Sequence, residues 1–219
     1  MPQQPPSVFL DTNLLKFSVD RLHRLFPTKQ PVNWGGQTLT LDVHVPATVL
    51  PNETIDNPEL KSEVKLLPRI GELGHEGRIR LLIQEEVFIE SWRQKNMGDS
   101  RGPFFGSPIT RVKAPVEYGR VVAAGFGGRS GRDLQIDFLK GIKVPRFEQL
   151  QKACGAYQGE GKYAENELID AFFLWCAEAA EADYFLTCDF DLIEHVKGHK
   201  RFPPKIALVK PSTLLNEVA

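Results

Sequence analysis

Residues 163–191 read YAENELIDAFFLWCAEAAEADYFLTCDFD, and the fold follows from how this stretch divides. Its first part, Ala164 to Ala180, has few polar positions after Asp170: Ala171, Phe172, Phe173, Leu174, Trp175, Cys176, Ala177, Ala179 and Ala180. A helix that is apolar on most of its circumference belongs in a core. Asp170 sits inside that run, where a carboxylate is costly unless it has a cation, hydrogen-bond donors or an open cleft. A short turn leads to Asp183-Tyr184-Phe185-Leu186-Thr187, a compact apolar run suited to a buried strand. That strand runs straight into Thr187-Cys188-Asp189-Phe190-Asp191. A helix, a tight turn and a strand closing on acids make half of a βαβ unit. Its carboxylates lie at the carboxyl edge of the sheet, where open α/β sheets bind ligands.

A second strand of this kind opens the chain. Val8-Phe9-Leu10 leads into Asp11-Thr12-Asn13 and then an apolar stripe at Leu14, Leu15 and Phe17. The pattern predicts strand, polar turn and helix entry, with Asp11 or Asn13 available as a cap. Asp11 has a second reading, as a carboxylate at the end of a parallel strand like Asp189. Two such strands side by side bring two negative charges together and call for a compensating cation.

Composition sets the limits around these two anchors. A chain of 219 residues suits one large domain, or one domain with insertions. Hydrophobic residues at 42% and charged ones at 25% are ordinary for a globular protein, and a net charge of −1 selects no partner. Cys154, Cys176 and Cys188 form no C-x-x-C pair, against a disulfide framework or a zinc site. Met1 to Ser7 carries no basic segment followed by an apolar core, and no apolar run approaches the ~20 residues of a membrane span. The expectation is a cytoplasmic protein with no membrane partner.

Between the anchors the pattern is less regular. Lys16 to Trp34 is mixed, and its expectation is a helix to Phe26 followed by loop. Gln37 to Val45 alternates polar and apolar residues and predicts a strand, with His44 an exposed strand residue rather than a metal ligand. Pro46 to Pro58 reads as loop. Glu59 to Leu73 reads as helix, kinked or ended by Pro68. Ile79 and Leu81-Leu82-Ile83 predict a buried strand, and Glu85 to Lys95 a helix. On that helix Glu85 and Glu86 need no explanation beyond the macrodipole. Glu90, a turn further in, is either a solvated partner of Arg93 or a functional acid.

Asp133 to Leu139 and Phe147 to Tyr157 read as helical pieces, and Ile206 to Val209 as a last strand. From Arg101 to Arg146 nine basic residues stand against three acids, beside Gly125, Gly127, Gly128 and Gly131. No Gly-Lys-Ser/Thr follows, so this is no P-loop. A basic segment near Phe104, Phe105, Tyr118 and Phe126 suits a phosphate backbone and stacked bases, with Arg129 and Arg132 as substrate contacts. A solvated surface loop has the same composition.

Together these motifs are similar to the PIN-domain family of ribonucleases. The resemblance rests on Val8-Phe9-Leu10-Asp11-Thr12-Asn13, Glu167-Leu168-Ile169-Asp170-Ala171 and Ala182 through Leu192, and less closely on Leu81 to Arg93. It implies an α/β, three-layer α/β/α sandwich with a central, mainly parallel sheet. It also implies a Mg²⁺- or Mn²⁺-dependent nuclease acting on RNA, with Asp11, Glu90, Asp170 and Asp189 as catalytic metal ligands. Asn13 and Thr187 would orient the carboxylates, with Asp191 an auxiliary acid and Glu167 within a turn of Asp170. Converging carboxylates raise each other's pKa unless a divalent ion lies among them, and all-oxygen donors suit a hard ion. The chain, read as a single domain over 1–219, departs from the compact members by apparent insertions at about 26–77 and 97–133. The resemblance makes a homodimer reasonable, whereas an antitoxin-type partner has no support in these residues.

Two other readings remain. The chain is a catalytically silent scaffold of this fold, binding RNA or protein. Alternatively, Asp189-Phe190-Asp191 resembles the Asp-x-Asp turn of haloacid-dehalogenase-like phosphatases, where the first Asp is the nucleophile. In those proteins that turn opens the domain instead of closing it.

Overall fold

Ser7–Leu10 is buried at every position, as expected of a strand with neighbours on both edges and helices over both faces. The computed structural model describes residues 4–18, 22–49, 51–86, 104–117 and 130–218. In chain order its first elements are β1 (Ser7–Leu10), α1 (Thr12–Phe17), β2 (Leu22–Trp34), β3 (Gln37–Val49), α2 (Pro58–Val64), α3 (Leu67–His75) and β4 (Arg80–Gln84). There follow β5 (Ile109–Val112), α4 (Gly131–Gly141), α5 (Pro145–Ala153), α6 (Glu165–Ala179), β6 (Tyr184–Leu186), α7 (Phe190–Gly198), β7 (Ala207–Val209) and α8 (Pro211–Val218).

Five strands form one parallel sheet in the order β5-β4-β1-β6-β7. Val8 sits opposite Leu81 on one side and Tyr184 on the other, and Phe9 opposite Leu82 and Phe185. The Phe9 and Phe185 rings stack at 5.6 Å, both fully buried, and burying such a ring contributes about 2–3 kcal/mol. At the amino edge of the sheet Asp183 ties β6 to β1, accepting hydrogen bonds from the Ser7 backbone N–H at 2.7 Å and the Ser7 hydroxyl at 2.8 Å.

Helices cover the sheet in two groups. α4 and α5 pack on α6, while α2 and α3 pack on α8. This gives the three-layer α/β/α sandwich, because right-handed crossovers between parallel strands send connections leaving in opposite directions to opposite faces. α6 is the apolar helix of residues 163–191: Leu168, Ile169 and Ala171 through Ala177 are all buried. Trp175 stacks on Phe147 of α5 at 5.1 Å. At its end Glu178 accepts two hydrogen bonds from Arg146, at 2.6 and 2.8 Å, which binds α5 to α6. One continuous apolar core runs from Val8 to Leu214.

Three local expectations are corrected. Leu22 to Phe26 is not helix but the start of a 13-residue strand paired residue for residue with β3, which also takes up Pro46 to Val49 from the expected loop. Gly35 and Gly36 close this hairpin with φ of +59° and +80°, the backbone of a two-residue turn that suits glycine. Pro68 begins a helix instead of ending one: residues 59–73 are divided between α2 and α3, and Pro68 lies in the first turn of α3, where a missing N–H costs nothing. α5 stops at Ala153, short of Tyr157, where Gly155 takes φ +76° and the Ala156 N–H turns back to the Gln151 carbonyl at 2.8 Å. His44 is exposed on β3, as expected. Among the described residues no helix is long and apolar enough to cross a membrane.

Candidate active site

The chain reverses its direction across the sheet at β1. Strands β4 and β5 follow on one side of it and β6 and β7 on the other, which opens a crevice at the carboxyl ends of β1 and β6. Asp11 follows β1 directly and Asp189 follows β6 by three residues, so the two acids emerge beside each other. α6 brings Asp170 to the same place. All three aspartates line one hollow of about 260 Å³. Ile169 and Phe173 give it an apolar wall, Thr12, Asn13 and Asn166 polar ones, and Lys16 and Arg132 two positive charges.

A single hydroxyl holds the acidic side together. Thr187, with no exposed surface, donates to the Asp11 carboxylate (Oδ2) at 2.6 Å. It accepts from the Asn13 amide at 3.1 Å and from the Asp189 backbone N–H at 2.9 Å. One donor and two lone pairs are the whole capacity of a threonine hydroxyl, so its proton is committed to Asp11. Asn13 closes the loop by accepting from the Cys188 N–H at 3.3 Å. Residues 11, 13, 187 and 189 are thereby fixed to one another across two strands.

Both sequence readings of Asp11 hold at once. Its carboxylate caps α1, accepting from the Thr12 N–H at 2.6 Å, and it lines the hollow while only 3% exposed. Asp189 likewise caps α7 through the Leu192 N–H at 2.9 Å. Negative charge at these helix N-termini is favourable, which offsets part of the cost of holding two carboxylates at one crevice.

The remaining candidates divide. Arg132 lines the hollow, held by a 2.6 Å hydrogen bond to Asn166 with Glu165 4.0 Å away. Asp191 is exposed on the first turn of α7 and does not line it. Glu167 does not line it either; with Asp170 it acts on Cys154, whose thiol is pushed up first by burial and then by those charges. Glu86 is fully buried just past β4 and does not line the hollow. Glu90 and Arg129 lie outside the described residues.

No protein-family model matches this chain, and no curated protein matches it either. The site is read from its own chemistry.

Lys16 and Asn166 were not singled out from the sequence, and both have a signal there. Lys16 follows Thr12 by one helical turn and Asn166 precedes Asp170 by one, so each shares a helix face with a residue of the hollow. The buried Thr12 hydroxyl has no hydrogen-bond partner among the described residues. Three carboxylates around a shared hollow fit a hard divalent ion in kind. Among the described residues, however, no three His, Cys, Asp or Glu side chains stand close enough to share one ion.

Proposed function

We propose that this chain is a metal-dependent nuclease of the PIN type, hydrolysing phosphodiester bonds in RNA. What supports the reading is one observation: Asp11, Asp170 and Asp189, far apart in sequence, line the same hollow at the reversal point of a parallel sheet. Asp11, Asp170 and Asp189, with Glu90 as the fourth acid, would hold Mg²⁺ or Mn²⁺ directly or through bound water. Such an ion supplies Lewis-acid polarisation of the phosphate and a lowered pKa for its bound water.

The chain's own residues do the rest. Thr187 keeps one Asp11 oxygen oriented, and Asn13 keeps Thr187 oriented, so the acid nearest the core cannot turn away. Lys16 and Arg132 at the rim set positive charge where a phosphate backbone would approach three carboxylates that repel it. Ile169 and Phe173, both buried, close the hollow on its apolar side.

The test is Asp11→Asn and Asp170→Asn, each assayed on single-stranded and structured RNA with added Mn²⁺. Both variants are expected to stay folded and to lose metal-dependent cleavage by at least about 100-fold, the scale for removing charge stabilisation at a reacting phosphate. Undiminished cleavage by either one refutes the assignment. Metal binding by the wild-type chain without turnover points to the silent scaffold, and trapping of an aspartyl-phosphate on Asp189 to the phosphatase reading.

A further inference from the structure

From His195 to Asn216 the chain has no Asp or Glu and five Lys or Arg: Lys197, Lys200, Arg201, Lys205 and Lys210. Against a net charge of −1, this stretch leaves −6 to the rest of the chain, so charge is segregated. Two of the five are paired within the fold. Lys210 lies 3.0 Å from Glu59 and 3.3 Å from Glu63, and Lys197 lies 3.7 Å from Glu194. Lys200, Arg201 and Lys205 are exposed, and among the described residues none of them forms an ion pair. The dipole of α7 suits His195 and Lys197 in its last turn, but it falls off before Lys205.

The three cations ride on a backbone that neighbouring helices hold in place. The Pro203 carbonyl accepts from the Arg146 guanidinium at 2.9 Å, and the Lys205 N–H donates to the Glu178 carboxylate at 2.8 Å. Arg146 and Glu178 are themselves the ion pair that joins α5 to α6. The Phe202 N–H donates to His199 Nδ1 at 3.3 Å, and the two rings stack 5.6 Å apart. The Arg201 guanidinium lies over the Phe202 ring, 5.1 Å from its centre. A turn held in this way has less freedom to lose when a ligand binds. β7 runs parallel to β6, so the loop enters the sheet at its amino edge, opposite the hollow. Glu178 lies about 12 Å beyond Asp170 along α6, and α7 separates Gly198 from Asp189 by about 14 Å.

We propose that residues 199–205 hold the phosphate backbone of an RNA strand, with Lys200, Arg201 and Lys205 each meeting a phosphate. The nuclease reading supplies the identity of this polyanion, and the proposal rests on it. At about 3.4 Å per nucleotide, a strand cut in the hollow reaches the loop only when it continues at least about four nucleotides past the scissile bond. The contact carries no base preference. His199 and Arg201 already engage the Phe202 ring, which leaves phosphate contacts that position a strand without reading it. An anionic membrane is the poorer fit, because such a surface is bound through inserted apolar side chains as well as charge. No large hydrophobic side chain of residues 197–207 is exposed.

Fluorescence anisotropy of a labelled oligouridine of about 20 nucleotides, with EDTA in place of metal, reads binding apart from cleavage. Wild type is expected to bind with an affinity that falls as salt rises. Lys200→Gln, Arg201→Gln and Lys205→Gln together remove three phosphate contacts. The slope of log K against log salt should then lessen by about 2, so the variant's deficit widens about fourfold for each halving of salt. All three positions are exposed, so the fold is kept. Lys29→Gln, Lys65→Gln and Lys162→Gln remove equal charge at exposed positions elsewhere and should keep the wild-type slope. A loop variant with the wild-type slope overturns the proposal, as does an equal drop in the control. Wild type preferring phosphatidylserine vesicles or polyglutamate to the oligouridine overturns it too. Binding through the loop by a chain that never cleaves RNA upholds this inference and removes the nuclease reading; cleavage with an unaltered slope does the reverse.

Discussion

Replacing Thr187 by valine keeps the shape of a fully buried side chain and deletes the hydroxyl that joins Asp11, Asn13 and Asp189. Three hydrogen bonds go at once. The one to Asp11 is charge-assisted, a class that contributes about 1.5–3 kcal/mol, and the other two leave an Asn13 amide and an Asp189 N–H without their acceptor, at about 1 kcal/mol each or more. Because these groups are neighbours the losses do not simply add, and the expected cost is about 3–5 kcal/mol. For a chain of this length that lowers Tm by about 6–20 °C. Thr187→Ser is the control: it keeps the hydroxyl and loses one buried methyl, about 1 kcal/mol.

Urea unfolding measures both, and an unchanged m-value shows that only stability has moved. A double-mutant cycle with Asp11→Ala should then return a coupling above about 1 kcal/mol, since the lost bond is shared. If Thr187→Val unfolds within about 1 kcal/mol of Thr187→Ser, the hydroxyl is not holding the two strands' acids, and the account of the hollow's acidic side is wrong.

Two further predictions concern titratable groups elsewhere in the fold. The thiols of Cys154, Cys176 and Cys188 are all buried, and burial pushes each of them up, Cys188 to about 12 with Glu63 and Asp11 adding to the effect. Iodoacetamide at pH 8 should therefore label none of them in the native chain and all of them in denaturant; one equivalent taken up quickly by folded protein contradicts this. Hydrogen bonds from the Ser7 N–H and hydroxyl, with the Arg80 charge, hold the Asp183 carboxyl below its usual range. A depressed folded pKa stabilises fully above the unfolded value of about 3.9 and is lost as pH falls through the folded one. Asp183→Asn should thus lose less stability than wild type between about pH 5 and pH 3, and equal losses would show that the tie between β6 and β1 does not titrate.

The sequence by itself determined the elements whose burial repeats in the chain. Val8-Phe9-Leu10, Leu81-Leu82-Ile83 and Tyr184-Phe185-Leu186 are apolar without alternation because each is covered on both faces, and the run Ala171 to Ala177 is apolar all round because α6 lies in the core. Asp11, Asp170 and Asp189 were legible for the converse reason: a carboxylate inside or at the end of such a run is costly and must be answered by something.

The β2–β3 ribbon was only half visible. The alternation of β3 shows plainly, whereas prolines and charges mask that of β2, and its identity as a strand comes from pairing with β3. That Thr187 is a hub, that Lys16 and Arg132 border the same hollow as the acids, and that Asp191 does not, were decided by tertiary structure alone. Strand order and helix rotation settle which side chains share a space, and neither is written in the spacing of residues along the chain.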